Sequence, residues 1–217
     1  PYSGKGPNKP SDAFAPQSEV ILYANVTYNY APIEDKMVIF VVNTPNGTQY
    51  LYRESNTNVD GIANVSFRLA SNAPFGNYSV LAQVTVSGHI ARDTLTFEVG
   101  WIIEILEVET VDQYGVPKSI FARGEQIYFD IILKNIAFTS KQAKLTVTVY
   151  DETNQTIGVA DIWLDVPPGH YEYSLIFSVK IPHWSYVGPR AWAYVAALTP
   201  DLVPYCPEKS TQFQIIP

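Results

Sequence analysis

Residues 57–86, T-N-V-D-G-I-A-N-V-S-F-R-L-A-S-N-A-P-F-G-N-Y-S-V-L-A-Q-V-T-V, decide the class of fold. They read as turn, strand, turn, strand. Asp60-Gly61 has hairpin-turn chemistry, because glycine accepts positive φ without a steric cost. Ala63, Val65, Phe67 and Leu69 then alternate with Ile62, Asn64, Ser66 and Arg68, the two-residue period of a strand buried on one face. After Pro74-Phe75-Gly76 the alternation resumes, with Tyr78, Val80, Ala82, Val84 and Val86 on one side. Two such strands joined by a short connection need a second layer over their apolar side, which predicts a β-sandwich.

Upstream, Val20, Leu22, Ala24, Val26 and Tyr28 share a face until Pro32 breaks the run. Residues 37–42 are continuously apolar, which predicts a central strand buried on both faces. Thr44-Pro45-Asn46-Gly47 turns the chain into a strand over 48–53, and residues 94–99 close a first unit of six strands. An immunoglobulin-type sandwich has about seven. Gly100-Trp101 marks a boundary, after which turn signals separate strands at 102–111, 125–135, 145–149, 157–166, 171–179, 191–198 and 211–216. Gly76-Asn77-Tyr78 and Gly169-His170-Tyr171 read as equivalent points of a shared plan. The expected architecture is all-β: a Pro/Gly-rich tail over 1–17, one immunoglobulin-like antiparallel sandwich over 18–100 and a second over 101–217.

Composition narrows the function classes. Of 217 residues, 16% are charged, against about 25% in ordinary soluble domains. Apolar residues make up 47%, enough for packed cores, which excludes a disordered chain. A net charge of −7 with no basic cluster excludes a nucleic-acid partner. No apolar run approaches the roughly 18 residues of a membrane span. Cys206 stands alone, so no bridge closes within the chain. The first residue is Pro1 with no signal peptide before it, as expected of a trimmed product.

Asn-x-Ser/Thr sequons begin at Asn25, Asn46, Asn64, Asn77 and Asn154. Asn25, Asn64 and Asn77 fall on the polar side of their strands' alternation, and Asn46 and Asn154 fall in turns. Each position suits a bulky glycan, although exposed strand faces and turns are rich in Asn, Ser and Thr without one. We read the chain as an extracellular, cell-surface protein bearing N-linked glycans and no other cofactor.

Catalytic chemistry is not expected. His89, His170 and His183 lie far apart, no nucleophile motif is present, and Cys206 has no base nearby in sequence. Asp151-Glu152 and Glu34-Asp35 read as solvated turn pairs and not as metal ligands, since calcium needs six to eight converging oxygens. Of four tryptophans, Trp184 with Tyr186, in a Pro/Gly-bracketed loop, is the candidate exposed aromatic contact, for instance to a sugar.

The segment T-N-V-D-G-I-A over 57–63, followed by G-N-Y-S-V over 76–80, resembles the macroglobulin-like and invasin-like extracellular immunoglobulin domains. D-A-F-A-P-Q-S-E-V over 12–20 is similar to their Pro-containing opening strand. In the second half, Phe121-Ala122-Arg123-Gly124-Glu125, Leu133-Lys134-Asn135 and Val166-Pro167-Pro168-Gly169 are similar to the adhesion-type sandwiches of archaeal surface proteins. In architecture and composition the chain resembles the crenarchaeal thread-type pilins. That resemblance implies a filament of identical subunits joined head to tail by donor-strand complementation, which would supply the strand that the first unit lacks. The candidate donor is Asp12, Ala13, Phe14 and Ala15. The alternatives are a static surface module (a piece of an S-layer, stalk or adhesin) and a carbohydrate-binding accessory domain. Expected partners are other copies of the chain, surface glycans and other cells.

Overall fold

The computed structural model describes residues 2–4, 10–184 and 187–217. The chain is all-β and divides into two compact units, residues 1–101 and 102–217. The first unit contains β1 (Tyr2–Gly4), β2 (Ala13–Phe14), β3 (Glu19–Asn25), β4 (Thr27–Tyr28), β5 (Ala31–Pro32), β6 (Met37–Asn43), β7 (Gln49–Asn56), β8 (Ile62–Arg68), β9 (Gly76–Val86) and β10 (His89–Val99). One sheet has the order β1-β3-β8 and the other β2-β10-β9-β6-β7, while β4 and β5 form a small ribbon.

The deciding stretch supplies one strand to each sheet. Ala63 and Val65 of β8 look across at Tyr78, Val80 and Ala82 of β9, and all are buried in one apolar cluster. The corner between them is tied down: the Leu69 amide donates to the Ser18 carbonyl (3.0 Å) and the Ala70 amide to the Tyr50 hydroxyl (2.9 Å). Gly61 is needed twice over at the turn before β8. Its φ is +73°, and a Cβ there would lie 2.5 Å from the Val26 carbonyl oxygen. β6 differs from the expectation of two buried faces. Val38, Phe40 and Val42 are buried, but Met37 is exposed and Ile39 and Val41 are half-buried, because only the face turned to the other sheet is covered.

The tail also differs from expectation: its described residues carry two short strands, β1 and β2. Residues 2–4 pair antiparallel with β3, and Ala13–Phe14 pair in parallel with Glu98–Val99 of β10. The tail therefore crosses from one sheet to the other. Phe14 is fully buried and meets Phe97 edge to face, with ring centroids 5.3 Å apart. Asp12, Ala13, Phe14 and Ala15, expected as a donor to another copy, thus belong to their own sandwich. The Asp12 carbonyl accepts from the Glu98 amide (2.8 Å) and the Phe14 carbonyl from the Gly100 amide (3.1 Å). Two pieces of three and two residues, set among Pro, Gly and Lys, are too short to show a period.

The second unit contains β11 (Ile103–Val111), β12 (Ile120–Ala122), β13 (Gln126–Asn135), β14 (Lys141–Asp151), β15 (Thr156–Val166), β16 (Gly169–Lys180), β17 (Arg190–Leu198) and β18 (Lys209–Ile216). Its sheets run β11-β13-β16 and β12-β18-β17-β14-β15, the same plan as the first unit strand for strand. Here too a short strand pairs in parallel with the last one, and Phe121 meets Phe213 edge to face at 5.6 Å. One constant spacing separates Ser3 from Thr110, Pro10 from Pro117, Phe14 from Phe121 and Gln17 from Gly124. The crossings match in detail. The Ser3 and Thr110 hydroxyls donate to the Ser11 and Lys118 carbonyls, each at 2.7 Å. Gln17 and Gly124 both have left-handed backbones, at φ 65° and 81°. The two Gly-x-Tyr turns, in contrast, are not equivalent: Gly76 opens β9, whose counterpart is β17, whereas Gly169 opens β16, the counterpart of β8.

Rings continue inward from the first crossing. Tyr78 stacks on Phe97 (5.3 Å) and meets Tyr50 edge to face (5.6 Å), and Tyr50 packs on Phe67 (6.0 Å). The Tyr78 hydroxyl is buried with no hydrogen-bond partner. Truncating Phe14 or Phe121 to alanine is expected to destabilise its own unit by about 3–5 kcal/mol, read as a lowered denaturant midpoint. Deleting residues 1–17 is expected to lower the melting temperature of the first unit. Tyr78→Phe, which removes an unpaired polar atom from the core, is expected to be neutral or stabilising in the same assay.

Candidate functional site

Among the described residues no group of His, Cys, Asp and Glu is placed to hold a metal ion, and no helix is long and apolar enough to cross a membrane. The five sequon asparagines are all exposed. Asn25 and Asn64 lie on the outer face of the three-stranded sheet of the first unit, in β3 and β8. Asn77 lies on the outer face of its five-stranded sheet, and Asn46 in the turn between β6 and β7. Asn46 Oδ1 accepts from the Thr48 amide (3.1 Å) and the Thr44 hydroxyl. Asn154 is in the β14–β15 turn with φ 62°. Trp184 is 46% exposed in the loop after β16, and Tyr186, named with it, lies outside the described residues.

Asp151 behaves differently from the solvated turn residue expected. It is fully buried, and its carboxylate organises two loops. Oδ1 accepts from the Thr153 amide (2.9 Å), the Thr153 hydroxyl (2.7 Å) and the Gln155 amide (3.0 Å); Oδ2 accepts from the Gly188 amide (3.3 Å). Burial pushes its carboxyl pKa up, but these donors outweigh burial and hold it below the usual carboxylate range. The signal available in the sequence is D-E-T-N-Q, in which Asp can bond the backbone two and four residues on. The contact to Gly188 could not be read. Glu125 has a related position. Burial works against its charge, but an ion pair with Lys118 and a bond from the Ala122 amide (2.8 Å) hold its pKa down. Cys206 is 5% exposed and free, and burial pushes its thiol pKa up. His183 packs its ring on Gly124, where an added Cβ would lie 1.9 Å from the imidazole.

One concave feature stands out in the first unit. A groove of about 360 Å³ opens between the end of β3 and the hairpin of β9 and β10, and it is lined by Ala24, Val26, Val38, Ala82, Val84 and Ile90 among others. Beside it, among the described residues, β10 pairs with β2 at Glu98 and Val99, and β3 pairs with β1 from Ile21 to Tyr23. Sequence reading had no way to find this groove, because its lining alternates like any other core.

Strand order and burial thus define an all-β chain of two compact units, each built on a three-stranded and a five-stranded sheet. No family model matches the chain, and no curated protein does. Among solved structures it is similar to a Salmonella alpha-2-macroglobulin mutant, at 15% identity and a TM-score of 0.36, covering 94% of this chain and 14% of that one. It is also similar to a DUF4785 family protein of Legionella pneumophila, at 9% identity and 0.36, covering 94% and 55%. A third is a tetra-tandem repeat from the extending region of a large adhesion protein, at 12% and 0.34, covering 92% and 46%. The chain therefore spans about one seventh of the macroglobulin and about half of the other two.

The lowered pKa of Asp151 fixes the sign of a pH effect. A group held below its unfolded value contributes stability above that value, and the contribution disappears as pH falls through the folded one. Asp151→Asn is expected to melt below the parent at neutral pH, with the difference shrinking as pH falls from about 4, where the unfolded carboxyl protonates first, and closing as the folded one follows. Asp151→Ala, which leaves several buried amides unpaired, is expected to cost about 1–3 kcal/mol. Thermal melts of both variants from neutral pH to pH 3 check this.

Proposed function

We propose that this chain is a static structural module of an extracellular surface protein, in which two sandwich units provide length and carry N-linked glycans, without catalysis. The observation that carries the reading is the crossing strand. The segment available to donate is built into its own core, through Phe14 in the first unit and Phe121 in the second. Five exposed sequons support an extracellular setting, since each acceptor amide can be reached without unfolding a strand. The chain secreted from a glycosylating host is expected to yield peptides carrying glycan mass at Asn25, Asn46, Asn64, Asn77 and Asn154. Unmodified asparagine at all five would remove that support.

The thread-filament reading, a glycosylated archaeal homopolymer, keeps one observation in its favour: the open groove beside β3 and β10 has the form of a strand acceptor. Its donor would then be a segment other than residues 12–15. Electron microscopy of purified chain at micromolar concentration separates the two. Isolated particles are expected for the static module; unbranched fibres that survive dilution would replace it with the filament.

A further inference from the structure

We propose that the outer face of the five-stranded sheet of the second unit binds a neutral oligosaccharide, the N-linked glycan carried by the sequons of another copy. The inference deepens the structural reading above and rests on the glycosylation in it.

Three neighbouring strands build the face. In β14 Ala143, Leu145, Val147 and Val149 are fully buried, so the residues between them point outward, and those directly opposite on β15 and β17 share that side. Tyr150 stands opposite Trp192, Thr148 between Tyr194 and Val159, Thr146 between Ala196 and Asp161, and Lys144 opposite Trp163. Trp163 is 46% exposed and Tyr194 39%. Tyr150 meets Tyr194 edge to face at 5.8 Å. These two rings, with Thr146, Thr148, Ala196 and Glu208, line a hollow of about 190 Å³, room for one sugar ring. Strand spacing and rise put Trp163 about 17 Å from Tyr194, a span of roughly three linked sugar rings.

The side chains select the class of ligand. An aromatic ring covers the C–H face of a pyranose, while hydroxyls and a carboxylate beside it bond the sugar's hydroxyl groups. Tyr194 and Trp163 supply the rings; Thr146, Thr148 and Glu208 supply the polar partners. Lys144 is ion-paired with Asp161 (2.8 Å). Among the described residues no other cation points outward from these strands between the Lys144 and Tyr150 rows, so a phosphate or uronic acid finds no unmatched charge. β14 and β17 each pair with a strand on both sides, so an extended peptide laid on the face gains no main-chain bonds. The sugar comes from the sequons, four of which lie exposed on the first unit. One stacked sugar binds weakly, and several glycans on one neighbour raise the local concentration of the ligand.

The test uses the whole chain in two forms. The first is made in a bacterial host without N-glycosylation and is titrated with a released neutral high-mannose N-glycan, and separately with hexagalacturonate, followed by amide chemical shifts. The neutral glycan is expected to bind with a Kd of roughly 1 mM or below and to shift residues 144–150 and 192–196. Trp163→Ala and Tyr194→Ala, each melting with the parent, are expected to weaken it by about tenfold, and Tyr114→Ala, at a ring 78% exposed in another loop, to leave it unchanged. No binding to the folded chain, equal binding of hexagalacturonate, or equal loss in all three variants overturns the proposal. The second form is secreted from a glycosylating host, and its sedimentation velocity is followed before and after enzymatic deglycosylation. Reversible self-association that is lost on deglycosylation and in Trp163→Ala is expected; association that survives deglycosylation overturns the proposal by assigning the face to protein. Peptide mass reads sequon occupancy separately, so unoccupied sequons would remove the glycosylation reading while the titration still decides whether the face binds sugar.

Discussion

In each unit one contact fastens the topology: a phenylalanine from a strand of two or three residues, set edge to face against a phenylalanine of the last strand. Phe14 on Phe97 and Phe121 on Phe213 hold the first segment of each unit across the gap between its sheets. The short strands contribute few ladder bonds, so the ring carries most of what keeps them in place. Without it, the parallel pairing with β10 or β18 would leave an exposed edge, and the connection behind it would lose its anchor. In the first unit the loss would spread further, because Phe97 also supports Tyr78 and, through it, Tyr50 and Phe67.

The repetition of this contact also explains why much of the fold was legible. In β8, β9 and β13 one face is core and the other is solvent, and the alternation of Ala63 and Val65, or Ile127, Phe129 and Ile131, states it directly. The two-residue period failed where elements are shorter than the period needs. β1 and β2 were hidden in polar, Pro-rich sequence and made the first unit look one strand short. The information was nevertheless present: F-A followed five positions later by a β-branched residue occurs at Phe14-Ala15…Val20 and again at Phe121-Ala122…Ile127. Asp151 was misread for a different reason. A carboxylate in a run of Glu, Thr, Asn and Gln resembles a solvated turn, and only the approach of Gly188 from a distant loop buries it. Burial on both faces of β6 was misread because a run of apolar residues says that a strand is covered but not by how many layers.

The prolines of the connections have a shared role. Gly4 with Pro10, Val111 with Pro117, and Leu198 with Pro204 form isolated bridges of the same kind, each closing a loop just past a strand. A proline at the bridge has no amide to offer, so the ladder stops there and the chain is free to change sheets or to turn back. Asp112 and Thr199 cap two of these loops by accepting the amides of Val116 (3.0 Å) and Val203 (3.1 Å). The same local chemistry therefore serves both the crossing and the ordinary return.

The distribution of sequons divides the molecule unequally. Four of the five lie in the first unit, on both of its sheet faces and in one of its turns, whereas the second unit has one, at the tip of a hairpin. If the proposed glycans are attached, they would cluster on the first unit, and the broad sheet faces of the second would carry none.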